Sequence, residues 1–348
     1  IVPLDHSRVW YRYHRLFAEL LRYRLRVAYP YLEIDLHHRA GLWYEDHGMP
    51  SDAIRHTLLA QDWERAAKLV QSASTAFLKR GEVLTVVGWF QALPEEILVS
   101  NPQLCLNYCW PMLLSGQYDV VAPLLENLEQ SAKEIPEFSG EIYAAQAYLA
   151  LNVGNHERMI ERSQKAMALL PRSAENARCI VAINLGLAYW HMGKMSDTES
   201  ILTEALETAC ATSNQYAALT ALIFLGRVIA VRGQLHQAAE YFKRAIRQGE
   251  DMPINALAYM DLATLQYEWN ELDVSEQYLQ KAVALCQRSQ NDEFLVGCLL
   301  LYLRLRIAQG DTAGAEDALE QAWDLVHAGK IPAPMAKRVD VAQAYWLL

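Results

Sequence analysis

The side chains that could do chemistry are few, and their spacing does not suit it. His156-Glu157 opens like the zinc motif His-Glu-x-x-His, but Arg158, Met159 and Ile160 follow and no second imidazole completes it. His37 and His38 are adjacent, so on a helix their rings point about 100° apart and cannot share a metal unaided. No Gly-x-Ser-x-Gly elbow occurs, and Gly193-Lys194 and Gly329-Lys330 lack the upstream glycine of a phosphate loop. The six cysteines, Cys105, Cys109, Cys179, Cys210, Cys286 and Cys298, fit neither a metal spacing nor a disulfide framework and read as free buried thiols. Glu95 and Glu96 follow Pro94 at a helix start, where the helix dipole accounts for paired carboxylates. His14 and His56 read as hydrogen-bonded core or linker residues. The expectation is a chain with no catalytic residues and no metal site.

The elements that hold these residues are easier to read. Six short turns recur, beginning at Gly116, Gly154, Gly193, Gly233, Asn270 and Gly310, with steps of 38, 39, 40, 37 and 40 residues. That period belongs to a helical repeat array, in which each helix pair stacks on the next to bury its apolar face. Gly or Asn at the turn suits a backbone that leaves a helix with positive φ, which a Cβ penalises in most residues. The pattern is clearest from Leu225 to Ala245. Gly226, Ala238 and Ala245 are small where two helices approach, and Phe242 is large where a pair meets its neighbour. Gly186, Leu202 and Ala205 repeat the pattern, as do Leu262, Ala263, Leu279 and Ala282, then Ala315, Leu319 and Ala322, while Ala147, Ala166 and Pro171 keep part of it. The expected fold is all-α, a right-handed superhelix of tetratricopeptide-like helix pairs.

Bulk properties agree with a stacked array. At 348 residues, 52% of them hydrophobic, the chain exceeds what one compact core usually holds, a ceiling that a solenoid escapes. Residues 1–65 carry nine Arg against nine acidic residues, so the net charge of −10 arises within residues 66–348. An acidic array is a poor partner for phosphate backbones, and no direct nucleic-acid contact is expected. No apolar run approaches the ~20 residues of a membrane span. The opening Ile1-Val2-Pro3-Leu4-Asp5 lacks an export signal, which points to a cytoplasmic chain with no membrane partner. It starts without Met, in mid-pattern, suggesting a piece of a longer polypeptide.

Before the array, the spacing predicts helices over 8–29, 36–45, 51–60 and 62–72, with Pro30 ending the first. Ser51 or Asp52 would cap the third and Asp62 the fourth. A last helix is expected over 335–348. Six arginines from Arg8 to Arg26 face one acid, Glu19. They form either a solvated face or a surface that docks on an acidic or nucleotide-bearing domain.

Several aromatic-rich words occur in a telling order: Trp10-Tyr11-Arg12-Tyr13-His14, Leu36-His37-His38-Arg39-Ala40, Trp43-Tyr44-Glu45-Asp46-His47-Gly48, Asp62-Trp63-Glu64-Arg65-Ala66 and Trp89-Phe90-Gln91-Ala92-Leu93-Pro94. They resemble the segment joining ATPase and sensor in MalT-like regulators, the ATP-dependent LuxR-type transcription regulators of the signal-transduction ATPase class. The resemblance implies a nucleotide-binding domain, a helical linker, a superhelical sensor and a helix-turn-helix. Residues 1–65 would then be a helical linker module following that nucleotide-binding domain, and residues 66–348 the tetratricopeptide-like sensor. ATP or ADP would belong to the parent's other domain, with no cofactor in this stretch. The implied partners are a small-molecule inducer or a regulatory protein, together with self-association of the parent.

A superhelix of helix pairs presents a concave face built mainly from the first helix of each pair. The repeat register puts Asn107, Trp110, Tyr148, Asn152, Trp190, His191, Arg227, Tyr267, Glu268 and Arg304 at or near that face. Aromatic rings mixed with polar tips suit a small polar ligand or an extended peptide. Taken singly, each ring reads first as core between repeats, and only together do they suggest a groove. The expected function is an inducer-sensing and interaction region of a transcription regulator. The alternative is a scaffold that holds peptides or proteins without any small inducer, and a hydrolase would need a base and nucleophile that the sequence does not bring together.

Overall fold

The computed structural model describes residues 2–3, 11–29, 31–131, 135–329, 331 and 333–347. They fall into two compact units, Ile1–Ser74 with Gly88–Asn101, and Thr75–Val87 with Pro102–Leu348.

The first unit opens with a two-residue antiparallel ladder, β1 (Val2–Pro3) on β2 (Tyr11–Arg12). Every other described element is helical: α1 (Arg15–Ala28), α2 (Leu32–Asp46), α3 (Pro50–Leu59), α4 (Trp63–Lys79), α5 (Val83–Gln91) and α6 (Glu95–Ser100), the fourth and fifth shared with the second unit. The helix expected from residue 8 starts at Arg15, because Tyr11 and Arg12 are extended in the ladder; residues 8–10 and Pro30 lie outside the described residues. Leu16, Phe17, Leu20 and Leu21 of α1 are exposed, and no residue of that helix is buried. His14, expected to be a hydrogen-bonded core or linker residue, is exposed at the helix N-cap without a capping bond. Neither Ser51 nor Asp52 caps α3. Met49 takes the N-cap position because Pro50, with its preset φ, starts the helix a residue earlier. Asp62 does accept from the Arg65 amide, at 3.3 Å.

In the second unit the first helices are α7 (Pro102–Leu114), α9 (Pro136–Asn152), α11 (Glu175–His191), α13 (Gln215–Val231), α15 (Asn255–Glu268) and α17 (Asp292–Gln309). Their partners are α8 (Tyr118–Ser131), α10 (His156–Leu169), α12 (Met195–Ala211), α14 (Leu235–Gln248), α16 (Leu272–Ser289) and α18 (Thr312–His327), and α19 (Ala333–Leu347) follows. All six predicted turn residues are left-handed, with φ between 62° at Asn270 and 80° at Gly116. Within a pair the helices cross where a side chain is missing: a Cβ on Gly226 would lie 2.6 Å from Phe242 Cε1, and one on Gly140 would lie 3.0 Å from Leu170 Cγ. Consecutive first helices pack on one another, α7 on α9, α9 on α11 and so on to α17 on α19, with no comparable packing between consecutive second helices. The first helices therefore line the inner side of the curve. Five of the six free cysteines are buried in this packing, and Cys210 is exposed, contrary to expectation, on the outer helix α12.

Two contacts tie turns that are far apart in sequence. Lys79 Nζ donates to the Thr212 carbonyl at 3.0 Å, and Gly81 sits so close to Met252 that a Cβ would come within 2.9 Å of its Cε. The array thus coils tightly enough to meet itself.

Filling or emptying a pair crossing should be costly. Phe242→Ala, which removes a side chain only 1% exposed, is expected to destabilise by about 3–5 kcal/mol. Gly226→Leu should cost at least ~1–3 kcal/mol through overpacking. Urea unfolding followed by circular dichroism measures both, and an unshifted midpoint would contradict the crossing.

Candidate functional site

The first helices α7, α9, α11, α13, α15 and α17 carry the sequence-predicted residues, in three groups. In the first, Trp110 on α7 and Tyr148 on α9 are tilted rings with centroids 6.3 Å apart. Both are half-buried. Asn107 accepts weakly from Gln103 Nε2, at 3.4 Å, and the same amide donates to Glu141 Oε2 at 3.2 Å. Asn152 turns back onto its own helix, donating to the Tyr148 carbonyl at 2.8 Å.

The second group centres on α11 and α13. Trp190 meets Phe224 edge to face at 6.1 Å and rests on the central core, so most of its surface serves packing. His191 stacks on His156 at 5.1 Å, while burial first, then His156 and Arg227, hold its pKa below the ordinary imidazole value. The His156 Nδ1 is buried without a hydrogen-bond partner among the described residues. Arg227 lies over the Phe224 ring at 4.7 Å and donates through Nε to Asp261 Oδ2 at 2.7 Å. Burial raises the Asp261 pKa, an effect that the guanidinium only partly offsets.

The third group is local. Arg304 lies 4.7 Å from the centre of the Tyr267 ring and 3.3 Å from Glu268, with both charged side chains about half exposed. Such an open pair contributes at most ~1 kcal/mol.

Tertiary structure adds residues that the sequence reading missed. The Tyr118 hydroxyl at the start of α8 donates to Glu293 Oε2 at the start of α17, at 3.4 Å and across 175 positions of sequence. Tyr216 and Tyr148 share this space. Burial raises the Tyr148 pKa, with further contributions from Tyr216, Tyr118 and Glu293, and pushes Tyr216 up to about 12. Glu293 is raised by burial, against the pull of Tyr118 and then of Arg338 on α19. Arg338 is lowered by burial and then by Arg227, while Glu293 works the other way. Electrostatic coupling therefore runs from His191 through Arg227 and Arg338 to Glu293 and the tyrosines. These groups, on α8, α9, α11, α13, α17 and α19, thus lie within electrostatic reach of their neighbours along the array. One signal was legible beforehand: Tyr216 and Glu293 both lie seventeen residues ahead of their turn glycines, Gly233 and Gly310.

A pocket on α8, α9 and α10 is lined by Glu129, Pro136, Ser139, Tyr143 and Leu169. Beside it Glu129 accepts from Arg162 at 2.7 Å and from Gln146 at 2.9 Å.

In the first unit, His37 and His56 Nδ1 atoms are 2.8 Å apart, and Tyr44 stacks on His56 at 5.3 Å. The Arg55 guanidinium lies 3.3 Å from His56 Nε2, which must accept because the guanidinium can only donate. His56 therefore carries its proton on Nδ1 and gives it to His37. Any added proton sets two donors face to face at one of these contacts. Burial first, and then Arg55 at His56, keep both imidazole pKa values low; at His37, Glu33 pulls up and Arg55, Arg22 and Arg26 push down. His38, expected not to share a metal with His37, instead lies 3.4 Å from Asp62. Among the described residues no group of three or more His, Cys, Asp or Glu could hold a metal ion, and no helix is long and apolar enough to cross a membrane.

Comparison with known proteins places this geometry. A model of the MalT-like TPR region matches residues 140–348, and one of the MalT winged helix domain matches residues 1–33. The HTH-type transcriptional regulator MalT of Vibrio cholerae is 26% identical over 340 residues, covering 94% of this chain but 37% of that protein. The chain thus spans little more than a third of that relative's length. A signal transduction ATPase with a tetratricopeptide repeat sensor from Pyrococcus horikoshii superposes with a TM-score of 0.58 at 14% identity, over 90% of this chain and 49% of that one. A Rap protein solved with competence and sporulation factor gives 0.59 at 12% identity, over 76% of this chain and 77% of that one. At these identities the two structures speak for the fold alone.

Two measurements check the electrostatics. Because both folded imidazole pKa values lie below the ordinary ~6.5, the unfolded state binds more protons as pH falls, so the α2–α3 hairpin should lose stability from about pH 7 downward. Hydrogen exchange in α2 and α3 should quicken between pH 7 and 5.5, after correction for intrinsic rates, and His56→Gln should flatten that dependence. Arg227→Gln should destabilise the array by about 2 kcal/mol, because Asp261 is left enclosed and unpaired, and Asp261→Asn in the same chain should recover most of it. Chemical denaturation of the single and double variants reports the coupling.

Proposed function

The chain belongs to the MalT-like TPR-region family, and from that premise we propose that it is the inducer-sensing and interaction region of an ATP-dependent, LuxR-type transcription regulator, receiving its ligand on the concave face of the array. The observation that carries this reading is the lumen cluster itself. Tyr118, Tyr148, Tyr216 and Glu293 bring charge and aromatic surface together where the starts of α8 and α17 meet. An array held together by packing alone has no need of charges there, since enclosing a charge costs free energy that apolar side chains would not. A ligand that replaces lost hydration offsets that cost.

In this reading the ligand acts by binding one arrangement of the array more tightly than another, since equal affinity for both would shift nothing. ATP or ADP, the DNA-reading helix-turn-helix and the self-associating surface belong to the parent regulator, in the cytoplasm, and the present residues supply no catalytic group. The second reading is a scaffold that takes a peptide or protein without any small inducer. It draws support from the likeness of fold to a Rap protein solved with competence and sporulation factor.

The test is thermal denaturation of the chain against a collection of metabolites, with calorimetry on any compound that stabilises it. A true inducer at a hundred times its Kd should stabilise the array by about 2.7 kcal/mol. Tyr148→Phe should weaken that compound roughly tenfold while leaving the unliganded melting temperature within a few degrees. If no metabolite stabilises the chain and a protein partner binds it through the same face, the scaffold reading replaces the inducer.

A further inference from the structure

Three contacts join distant stretches of the array, all within the second unit, and they advance in step along both sides. Lys79, at the end of α4, donates to the Thr212 carbonyl at 3.0 Å. Gly81, in the next turn, meets Met252 in the loop between α14 and α15. Tyr118, at the start of α8, donates to Glu293 at the start of α17. The α4–α5 and α7–α8 turns thus lie along one seam, against the stretches that lead into α13, α15 and α17.

Gly81 shows that the seam is fitted. Like the repeat glycines it is left-handed, with φ of 76°, but at Gly116, Gly193, Gly233 and Gly310 the place of a Cβ is open, with nothing within 4 Å. At Gly81 that place is taken: Met252 Sδ would lie 3.0 Å from a Cβ and Pro253 Cδ 3.2 Å. The receiving loop is held in position, since Asn255 donates to the Ala245 and Gly249 carbonyls and Arg288 donates to Asp251. Lys79 places its ammonium at the C-terminal end of α12, where the helix dipole favours a cation. For all this fit, what the seam offers is polar or small: an ammonium on a carbonyl, a thioether on a glycine and a phenol on a carboxylate at 3.4 Å. A helix pair is held instead by apolar side chains such as Phe242, 1% exposed. Local opening begins where buried apolar contacts are fewest, so the seam parts before any pair comes undone.

We infer that the seam is a latch: the array has a closed form, in which the α4–α5 and α7–α8 turns are seated as described, and an extended form, in which both leave their seats together. The inference rests on the sensor reading above and gives its two arrangements a place. A ligand that binds the closed form more tightly holds the latch shut. Parting the seam needs no pair to unfold, because a slight sliding of packed helices, repeated along the array, separates the two sides.

Met252 reports the state of the seam. Its sulfur faces Gly81 and the residue is only 7% exposed, so dilute hydrogen peroxide should oxidise it slowly while the seam is closed. Met159, 0% exposed in the core of the array, is the internal standard. Mass spectrometry of the peroxide-treated chain gives both rates. Tyr118→Phe removes only the third contact, yet it should speed Met252 oxidation at least threefold. Lys79→Leu should do the same, with Met159 unchanged in both variants and the radius of gyration from X-ray scattering increased. Lys79→Arg keeps a donor and should keep the protection. General loss of the fold would speed both methionines alike, and that result would overturn the inference, as would a Met252 rate that Tyr118→Phe leaves unmoved. No ligand enters these measurements, so the two readings fail separately. A metabolite that stabilises a chain whose Met252 never responds would spare the inducer and sink the latch, whereas a latch that parts in a chain no metabolite stabilises would do the reverse.

Discussion

Three helix pairs of the second unit, those of Gly140, Gly186 and Gly226, cross where one helix has no side chain, and the missing Cβ sets how closely those helices lie. At Gly226 the space a methyl group would take is filled by the edge of Phe242, and at Gly140 by Leu170. Close crossing brings the second helix onto one side of the first, which leaves the other side of each first helix free to meet the next. Repetition of that asymmetry curves the array, because spacing is tighter between first helices than between second ones. A larger residue at the crossing would open the pair, change the curvature and misplace the residues that face the lumen.

Curvature in turn explains the unusual electrostatics of the inner face. Arg304 with Glu268 and Arg227 with Asp261 are both ion pairs across consecutive first helices, but the former pair is about half exposed and the latter is at most 19% exposed. Solvent screens the open pair, whereas the enclosed one resists loss of either partner. Farther along, Glu293 and the tyrosines lie where distant turns come together. Enclosure there raises the carboxylate and phenol pKa values without removing contact with solvent. That is the setting in which a bound molecule can exchange water for fixed polar partners.

The first unit follows different rules. Its α2–α3 hairpin is closed by the near contact of Gly41 with Thr57 and by an imidazole pair whose tautomers are dictated by Arg55. Neutral rings suit that network and charged ones do not, so this hairpin is tuned to pH while the array is tuned to packing. The short ladder ahead of α1 lies in the stretch that matches a winged helix domain, and among the described residues strand pairing occurs there alone, before the repeat pattern begins.

Periodicity alone determined the repeat. Positive φ at six turns, small residues at crossings and large ones between pairs are local requirements, and a local requirement leaves its mark in residue type at fixed spacing. The register of the first helices was legible for the same reason, which is how Tyr148, His191 and Arg227 could be placed on them. Even there the sequence could not say that Trp190 spends its ring on Phe224, or that Asn152 binds its own helix, because rotamer and neighbour are settled by packing. The meeting of Tyr118 with Glu293, 175 positions apart, was decided only by the tertiary fold. Small rotations per repeat add up over the five steps from the first pair to the sixth to bring these two helix starts together, and no single repeat encodes the sum. Likewise His37, read beside His38, had no evident tie to His56 until the α2–α3 crossing set their Nδ1 atoms 2.8 Å apart.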